Sequence, residues 1–128
     1  MPHRLPVRVY YEDTDMAGIV YYANYLRYIE RGRSEWVRGL GLDQTQMKEN
    51  GVVFAVRRVE ADYLMPAKLD DELMVETDVM SVTGVRLVMD QKVKRGDEIL
   101  FHAVVTVVCI GDAGQPVRLP AEVRQMVH

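Results

Sequence analysis

Cysteine is almost missing from this chain, with one residue, Cys109, in 128. A single cysteine excludes an internal disulfide framework, and three scattered histidines beside it make no metal-ligand set. No apolar run is long enough to cross a bilayer. The longest, Ile99 to Ile110, is interrupted by His102 and Thr106 and falls well short of the roughly 20 residues a spanning helix needs. The charged and apolar regions of a signal peptide are also absent, so a reducing cytoplasm is the expected location. Neither sign of charge dominates. Sixteen Lys and Arg stand against 19 Asp and Glu, for a formal charge of -3. The basic residues are interspersed with acidic ones, which excludes the electrostatic footprint of a nucleic-acid binder. A glycine-rich phosphate loop is lacking, which argues against nucleotide hydrolysis. Without repeats, linkers or low-complexity tracts, residues 1–128 read as one domain, large enough to bury a core unaided.

What the chain does contain is a change of hydrophobic period. Tyr22, Tyr25, Leu26, Ile29, Gly32, Trp36, Val37 and Leu40 recur at three- and four-residue steps with charged residues between them. This predicts a helix from Tyr22 to Arg38, about 25 Å long and stopped by Gly39 and Gly41. Gly32 inside it costs roughly 1 kcal/mol against alanine, so something should pack closely there. A short second helix fits Gln44 to Glu49. Ahead of the long helix, Val7, Val9 and Tyr11 alternate with Arg8 and Tyr10 as a strand.

After Gly51 the period becomes two. Val59, Ala61 and Tyr63 form one apolar series; Leu73, Val75, Thr77 and Val79 form a second; Val85, Leu87, Met89 and Val93 form a third. Thr83-Gly84 and Arg95-Gly96-Asp97 supply hairpin turns between antiparallel strands. Leu100 to Ile110 is apolar on both faces, as in a central strand or one covered by a partner. Pro120 opens a short terminal helix through Met126. The fold class is α+β: a five-stranded antiparallel sheet wrapped around one long helix.

Between the first strand and the helix lies Glu12-Asp13-Thr14-Asp15-Met16-Ala17-Gly18-Ile19-Val20-Tyr21-Tyr22. It places a carboxylate, a glycine and a helix start within one short loop. A helix start carries backbone N–H groups without intrahelical partners, which can hold a developing negative charge. Asp15 has two readings on spacing alone: a turn or capping aspartate, or the reactive carboxylate of an acyl-transfer site. Asp13 reads as ordering the loop, and Tyr22, Tyr25 and Tyr28 as amphipathic wall residues of the helix. His102, in an apolar strand with no nucleophile motif around it, reads as a satisfied core or interface histidine. Cys109 reads as a small buried hydrophobe, and His3 and His128 are terminal.

The stretches Val7 to Asp15, Gly18 to Tyr25 and Glu30 to Glu35, with Tyr63 to Asp71 and Val107 to Cys109, resemble the hotdog-fold acyl-CoA thioesterases almost end to end. Within that family the chain is most similar to the 4-hydroxybenzoyl-CoA thioesterase branch, and in particular to the bacterial thioesterases associated with the Tol-Pal cell-envelope system. The resemblance implies a dimer that joins two sheets edge to edge, often paired into tetramers, with sites at the subunit interface. It places the catalytic aspartate on Asp15 and the carbonyl-polarising backbone N–H on Tyr22. Where Tyr22 stands, several Tol-Pal-associated relatives have histidine, whereas the 4-hydroxybenzoyl-CoA branch has tyrosine.

Such chemistry can run on one carboxylate. A thiol leaving group, with a pKa near ~8.5, departs as thiolate without a placed acid, and an aspartate with a reference pKa of about 3.9 is already ionised at neutral pH. Asp15 would either attack the carbonyl to give a mixed anhydride or act as general base on water. Gly18 would let the backbone approach the acyl group. No resident cofactor is expected, because coenzyme A belongs to the substrate. Its phosphates call for basic groups, and Arg57 and Arg58, opening a strand near the cleft, are the candidates. An acyl carrier protein is a possible alternative carrier of the thioester. Two rival functions share the fold's logic: a dehydratase or hydratase, which needs a site histidine the loop does not have, and a non-catalytic acyl-thioester binder or envelope accessory protein.

Overall fold

In the computed structural model, which describes residues 2–126, the chain forms β1 (His3–Arg8), α1 (Asn24–Gly39), α2 (Gln44–Glu49), β2 (Val53–Tyr63), β3 (Glu72–Val82), β4 (Leu87–Arg95), β5 (Glu98–Ile110), β6 (Pro116–Val117) and α3 (Ala121–Arg124). His128 lies outside the described residues. The strands pair antiparallel in the order β1-β3-β4-β5-β2, with β6 added to β5 through Cys109 and Ile110. Period two decides which side chains point inward. Leu73, Val75 and Thr77 of β3, Leu87, Met89, Gln91 and Val93 of β4, and Phe101, Ala103, Val105 and Val107 of β5 are all buried beneath α1. The helix answers with Tyr25, Tyr28, Ile29, Gly32, Trp36 and Val37.

Gly32 marks the closest approach. A Cβ there would stand 2.8 Å from Val75 Cγ1 and 2.9 Å from Thr77 Oγ1, so the helix can lie this near the sheet only without one. Beside it, the Gln91 amide donates to the Ile29 carbonyl at 2.8 Å and to Thr77 Oγ1 at 2.9 Å, while its oxygen accepts from Arg33 Nη1 at 3.0 Å. This buried polar knot fixes the helix in one register on the sheet.

Three boundaries differ from the sequence expectation. β1 runs earlier than Val7 to Tyr11, because Asp13 Oδ2 accepts from the Tyr10 N–H at 2.9 Å and turns Tyr11–Asp13 into a single 3-10 turn. The long helix begins at Asn24 rather than Tyr22, with Ala23 as its cap. A sixth, two-residue strand, β6, joins the five expected. The terminal helix is shorter than Pro120 to Met126, with Pro120 as its cap.

The two sheet edges are unequal. β1 carries Pro6, which has no N–H to offer a neighbouring chain. β2 offers eleven residues without proline, and its exposed members include Val56, Val59 and Tyr63.

Candidate active site

The segment between β1 and α1 folds as a small hairpin on the rim of the sheet. Asp15 N–H donates to the Ile19 carbonyl at 2.9 Å, Gly18 N–H donates to the Asp15 carbonyl at 3.0 Å, and Thr14 bridges Val20. Gly18 sits at φ +79°, a conformation side chains rarely adopt, and it is this turn geometry that requires the glycine. Open space surrounds it, since no atom lies within 4 Å of where a Cβ would be.

Asp15 is exposed at the tip. Its Oδ1 accepts from the Ala17 N–H at 2.8 Å, so the turn-forming reading of this aspartate is realised. Its Oδ2 has no partner among the described residues. One carboxylate therefore shapes its own loop with one atom and presents the other.

The hairpin closes onto the helix through one carbonyl. Asp13 O accepts from both the Tyr21 N–H and the Asn24 side-chain amide, each at 2.9 Å. The Asn24 N–H donates to the Tyr21 carbonyl at 2.8 Å. The Tyr22 N–H lies one residue ahead of the cap and meets no acceptor among the described residues, although its position is outside the helix expected to contain it. Tyr22 itself is 62% exposed. Its carbonyl is held from behind by the Tyr63 hydroxyl at 3.0 Å. The Tyr63 ring is wedged edge-on against Tyr22, Tyr25 and Phe101.

A second loop underlies the hairpin. Val20 N–H donates to the Ala67 carbonyl at 2.9 Å, Ala67 N–H donates to the Tyr25 hydroxyl at 3.0 Å, and Ile19 bridges Lys68. Asp71 fastens this loop by accepting from Lys68 N–H at 2.8 Å and from Arg95 Nη1 at 2.7 Å. Burial works against the Asp71 carboxylate, but these two donors outweigh it and leave its pKa below the ordinary aspartate value.

The proposed phosphate ligands stand on β2 rather than on the hairpin. Arg58 points to the outer face of the sheet and pairs with Glu60 at 3.1 Å. Arg57 occupies the bulge between Val56 and Arg58, on the open edge of β2. His102 is half-buried on the outer face against Asp90, 3.0 Å away. Cys109 is buried, and desolvation pushes its thiol up to about 11, so it is no thiolate at neutral pH. Among the described residues no group of three or more His, Cys, Asp and Glu side chains gathers for a metal, and no helix is long and apolar enough to cross a membrane.

Sequence reading assigned no role to Asn24, Tyr63, Gln91 or Arg33. Gln91 did leave a signal, a lone amide at an inward position of an otherwise apolar series. Tyr63 and Asn24 left none, because their partners are backbone carbonyls brought together only by the fold.

A seam runs between α1 and β2, lined by Leu26, Arg27, Ile29, Glu30 and Arg33 on one side and Val56 and Val59 on the other. It continues past Arg33 into a cavity of about 170 Å3 bounded by Val37, Phe54, Leu87, Met89 and Val107. The hairpin thus presents a carboxylate oxygen without a partner and, at its exit towards α1, a backbone N–H without an acceptor among the described residues. That arrangement suits attack on a carbonyl.

Comparison with known proteins points the same way. A model of the thioesterase-like superfamily matches residues 9–127. The chain is 45% identical over 126 residues to the acyl-CoA thioesterase YbgC of Haemophilus influenzae, covering 96% of this chain and 92% of that protein. It is 42% identical over 108 residues to the acyl-CoA thioester hydrolase YbgC of Escherichia coli O157:H7, covering 84% and 81%. A crystal structure of a probable thioesterase from Bartonella henselae superposes with a TM-score of 0.90 at 37% identity, over 94% of this chain and all of that one.

Proposed function

The chain belongs to the thioesterase-like superfamily, has the hotdog fold of its structural neighbours and is a thioester hydrolase, and we propose that it cleaves acyl-CoA with Asp15 as the reactive carboxylate and the Tyr22 N–H as the donor to the thioester oxygen. The observation that carries this reading is the division of labour at Asp15, with Oδ1 spent on Ala17 N–H and Oδ2 left free. As charge builds on the carbonyl oxygen, the Tyr22 N–H and the adjacent start of α1 stabilise it; losing one such donor in comparable sites costs about 2.7 to 4 kcal/mol. The CoA thiolate leaves unassisted, so tyrosine in place of a relative's histidine is no obstacle. No cofactor takes part. Arg57, on the rim of β2, is the basic group kept for the CoA phosphates.

The working unit is a homodimer, able to pair further into a tetramer. A monomer of 14.7 kDa is expected to expose about 6,900 Å2; this chain alone exposes 7832 Å2. The surplus includes the unprotected β2 edge and its apolar residues, and pairing β2 with a second copy would satisfy both. The cytoplasmic setting follows from the near absence of cysteine, and the Tol-Pal association from the family resemblance.

The test is release of free CoA thiol from a panel of acyl-CoA esters by the wild type and by Asp15→Asn. The variant should lose at least about 10³ in kcat, roughly 4 kcal/mol of barrier, with a smaller change in KM. Retention of activity within tenfold of wild type would remove Asp15 from the reaction. A single turnover in H₂¹⁸O tests the attack route. Label in the Asp15 carboxylate arises only from an anhydride that water opens at the aspartyl carbonyl, whereas label in the product acid alone fits both water activation and an anhydride opened at the acyl carbonyl.

A further inference from the structure

Asn24 is the first residue of α1, and its side chain is buried. An asparagine at a helix start ordinarily caps it by accepting from the N–H groups of the first turn. Here Ala23 stands at the cap, and no side chain caps α1. The Asn24 amide turns the other way and reaches back eleven residues, where Nδ2 donates to the Asp13 carbonyl at 2.9 Å. Its own N–H donates to the Tyr21 carbonyl at 2.8 Å. One residue of the helix thus holds both arms of the hairpin, the outgoing arm by its backbone and the incoming arm by its side chain.

The two arms carry the two halves of the site. Asp15 lies two residues beyond Asp13 on the incoming arm, and Tyr22 lies one residue beyond Tyr21 on the outgoing arm. The incoming arm is fastened to the loop after β2 at Val9, by bonds with Asp70 and Asp71. From Tyr10 to Asp15, the other hydrogen bonds among the described residues are turns within the hairpin or rungs between its arms, except the one from Asn24 Nδ2. That bond alone ties the carboxylate arm directly to the helix. Burial of the amide strengthens it by keeping water from the Asp13 carbonyl.

We propose that the Asn24 side chain is a positioning residue, which sets the Asp15 carboxylate against the Tyr22 N–H. Asn24 itself takes no part in bond cleavage. The inference rests on the thioesterase reading for what Asp15 and Tyr22 do, and on the hairpin alone for how they are held. A misplacement on the order of 1 Å costs about 10²-fold where a reaction depends on such alignment, so the effect belongs in kcat.

The experiment uses Asn24→Ser, which keeps a residue favoured at helix starts but is too short to reach Asp13, with Asn24→Ala as a second variant should the first not fold. At a temperature where the variant is fully folded, kcat on acyl-CoA esters should fall about 10- to 100-fold, with KM within about threefold of wild type. Because Asn24 acts through Asp15, the same change made in Asp15→Asn should lower the residual rate less than about twofold. Equal losses in the two backgrounds would make Asn24 a general structural residue and overturn the assignment. So would a rise in KM at unchanged kcat. A wild type that hydrolyses no ester removes the thioesterase reading instead. ¹⁵N relaxation of the Asp15 amide then decides for Asn24, since raised mobility in Asn24→Ser is expected and unchanged mobility overturns the tie.

Discussion

The Tyr63 hydroxyl donates to the Tyr22 carbonyl across 3.0 Å, so the last residue of β2 holds the peptide that leads into α1. The Tyr22 N–H shares its peptide plane with the Tyr21 carbonyl, which Asn24 N–H fixes, and Tyr63 fixes the peptide that follows it. The Tyr22 N–H is therefore aimed before substrate arrives, which is what makes a donor effective in a transition state. Tyr63→Phe keeps the ring among Tyr22, Tyr25 and Phe101 and deletes only the donor. A typical net hydrogen bond is worth about 0.5 to 1.5 kcal/mol, so kcat should fall about two- to tenfold. KM should change less than twofold and the unfolding midpoint by less than about 4 °C. A rise in KM at unchanged kcat would show that Tyr63 shapes binding rather than the donor.

The Tyr22 side chain and backbone are separable. Tyr22→Phe preserves the N–H and the ring, so kcat should drop less than about tenfold, under 1.4 kcal/mol. Tyr22→Pro removes the N–H, and because the residue stands ahead of the Ala23 cap, no intrahelical bond is lost with it. Activity should fall much further than stability, measured as kcat beside the unfolding midpoint. If Tyr22→Phe is as damaging as Tyr22→Pro at equal stability, the phenol is the active group and the backbone assignment is wrong.

Gly32→Ala sets helix propensity against packing. Alanine favours the helix by about 1 kcal/mol, but its Cβ would meet Val75 Cγ1 at 2.8 Å and Thr77 Oγ1 at 2.9 Å. Both are sheet residues at the core, and overpacking of this kind costs typically about 1 to 3 kcal/mol. The net effect should be destabilisation, read as a lower urea midpoint at unchanged slope. A variant as stable as wild type would mean that α1 lifts off the sheet freely, and the register lock at Gln91 would lose its support.

Much of this arrangement was legible in the sequence, for physical reasons that differ by element. The period of two marked β2, β3 and β4 because one face of each is apolar and the other wet, whereas β5 stood out as a run apolar on both faces. Gly32 announced a close contact because a glycine inside a helix is unfavourable without one. The helix start was misplaced by two residues since Tyr22 continues the apolar spacing, while the chain there is committed to the hairpin by the Asp13 carbonyl. Alternation put Arg58 opposite Val59, on the outer face where it lies, but could not show the bulge at Arg57, which brings Val56 and Val59, three residues apart, onto one face. Nor could it reveal Tyr63 on Tyr22, a contact between residues far apart in sequence that only the closed fold creates.

The floor of the site should respond to acid through Asp71. Its carboxylate accepts from Lys68 N–H and Arg95, and these bonds hold its folded pKa below the ordinary value of 3.8 despite the opposing effect of burial. A group depressed in the folded state stabilises it fully above the unfolded pKa and loses that contribution as pH falls through the folded value. Asp71→Asn should therefore be less stable than wild type by a constant margin between about pH 5 and 7, and the margin should shrink as pH drops below about 4. Urea midpoints at intervals of half a pH unit measure it. The same variant should show reduced kcat/KM at neutral pH, because Ala67, which this loop presents, receives Val20 N–H and donates to Tyr25. A margin that is equal at pH 3 and pH 7 would place the effect of Asp71 in its shape rather than its charge.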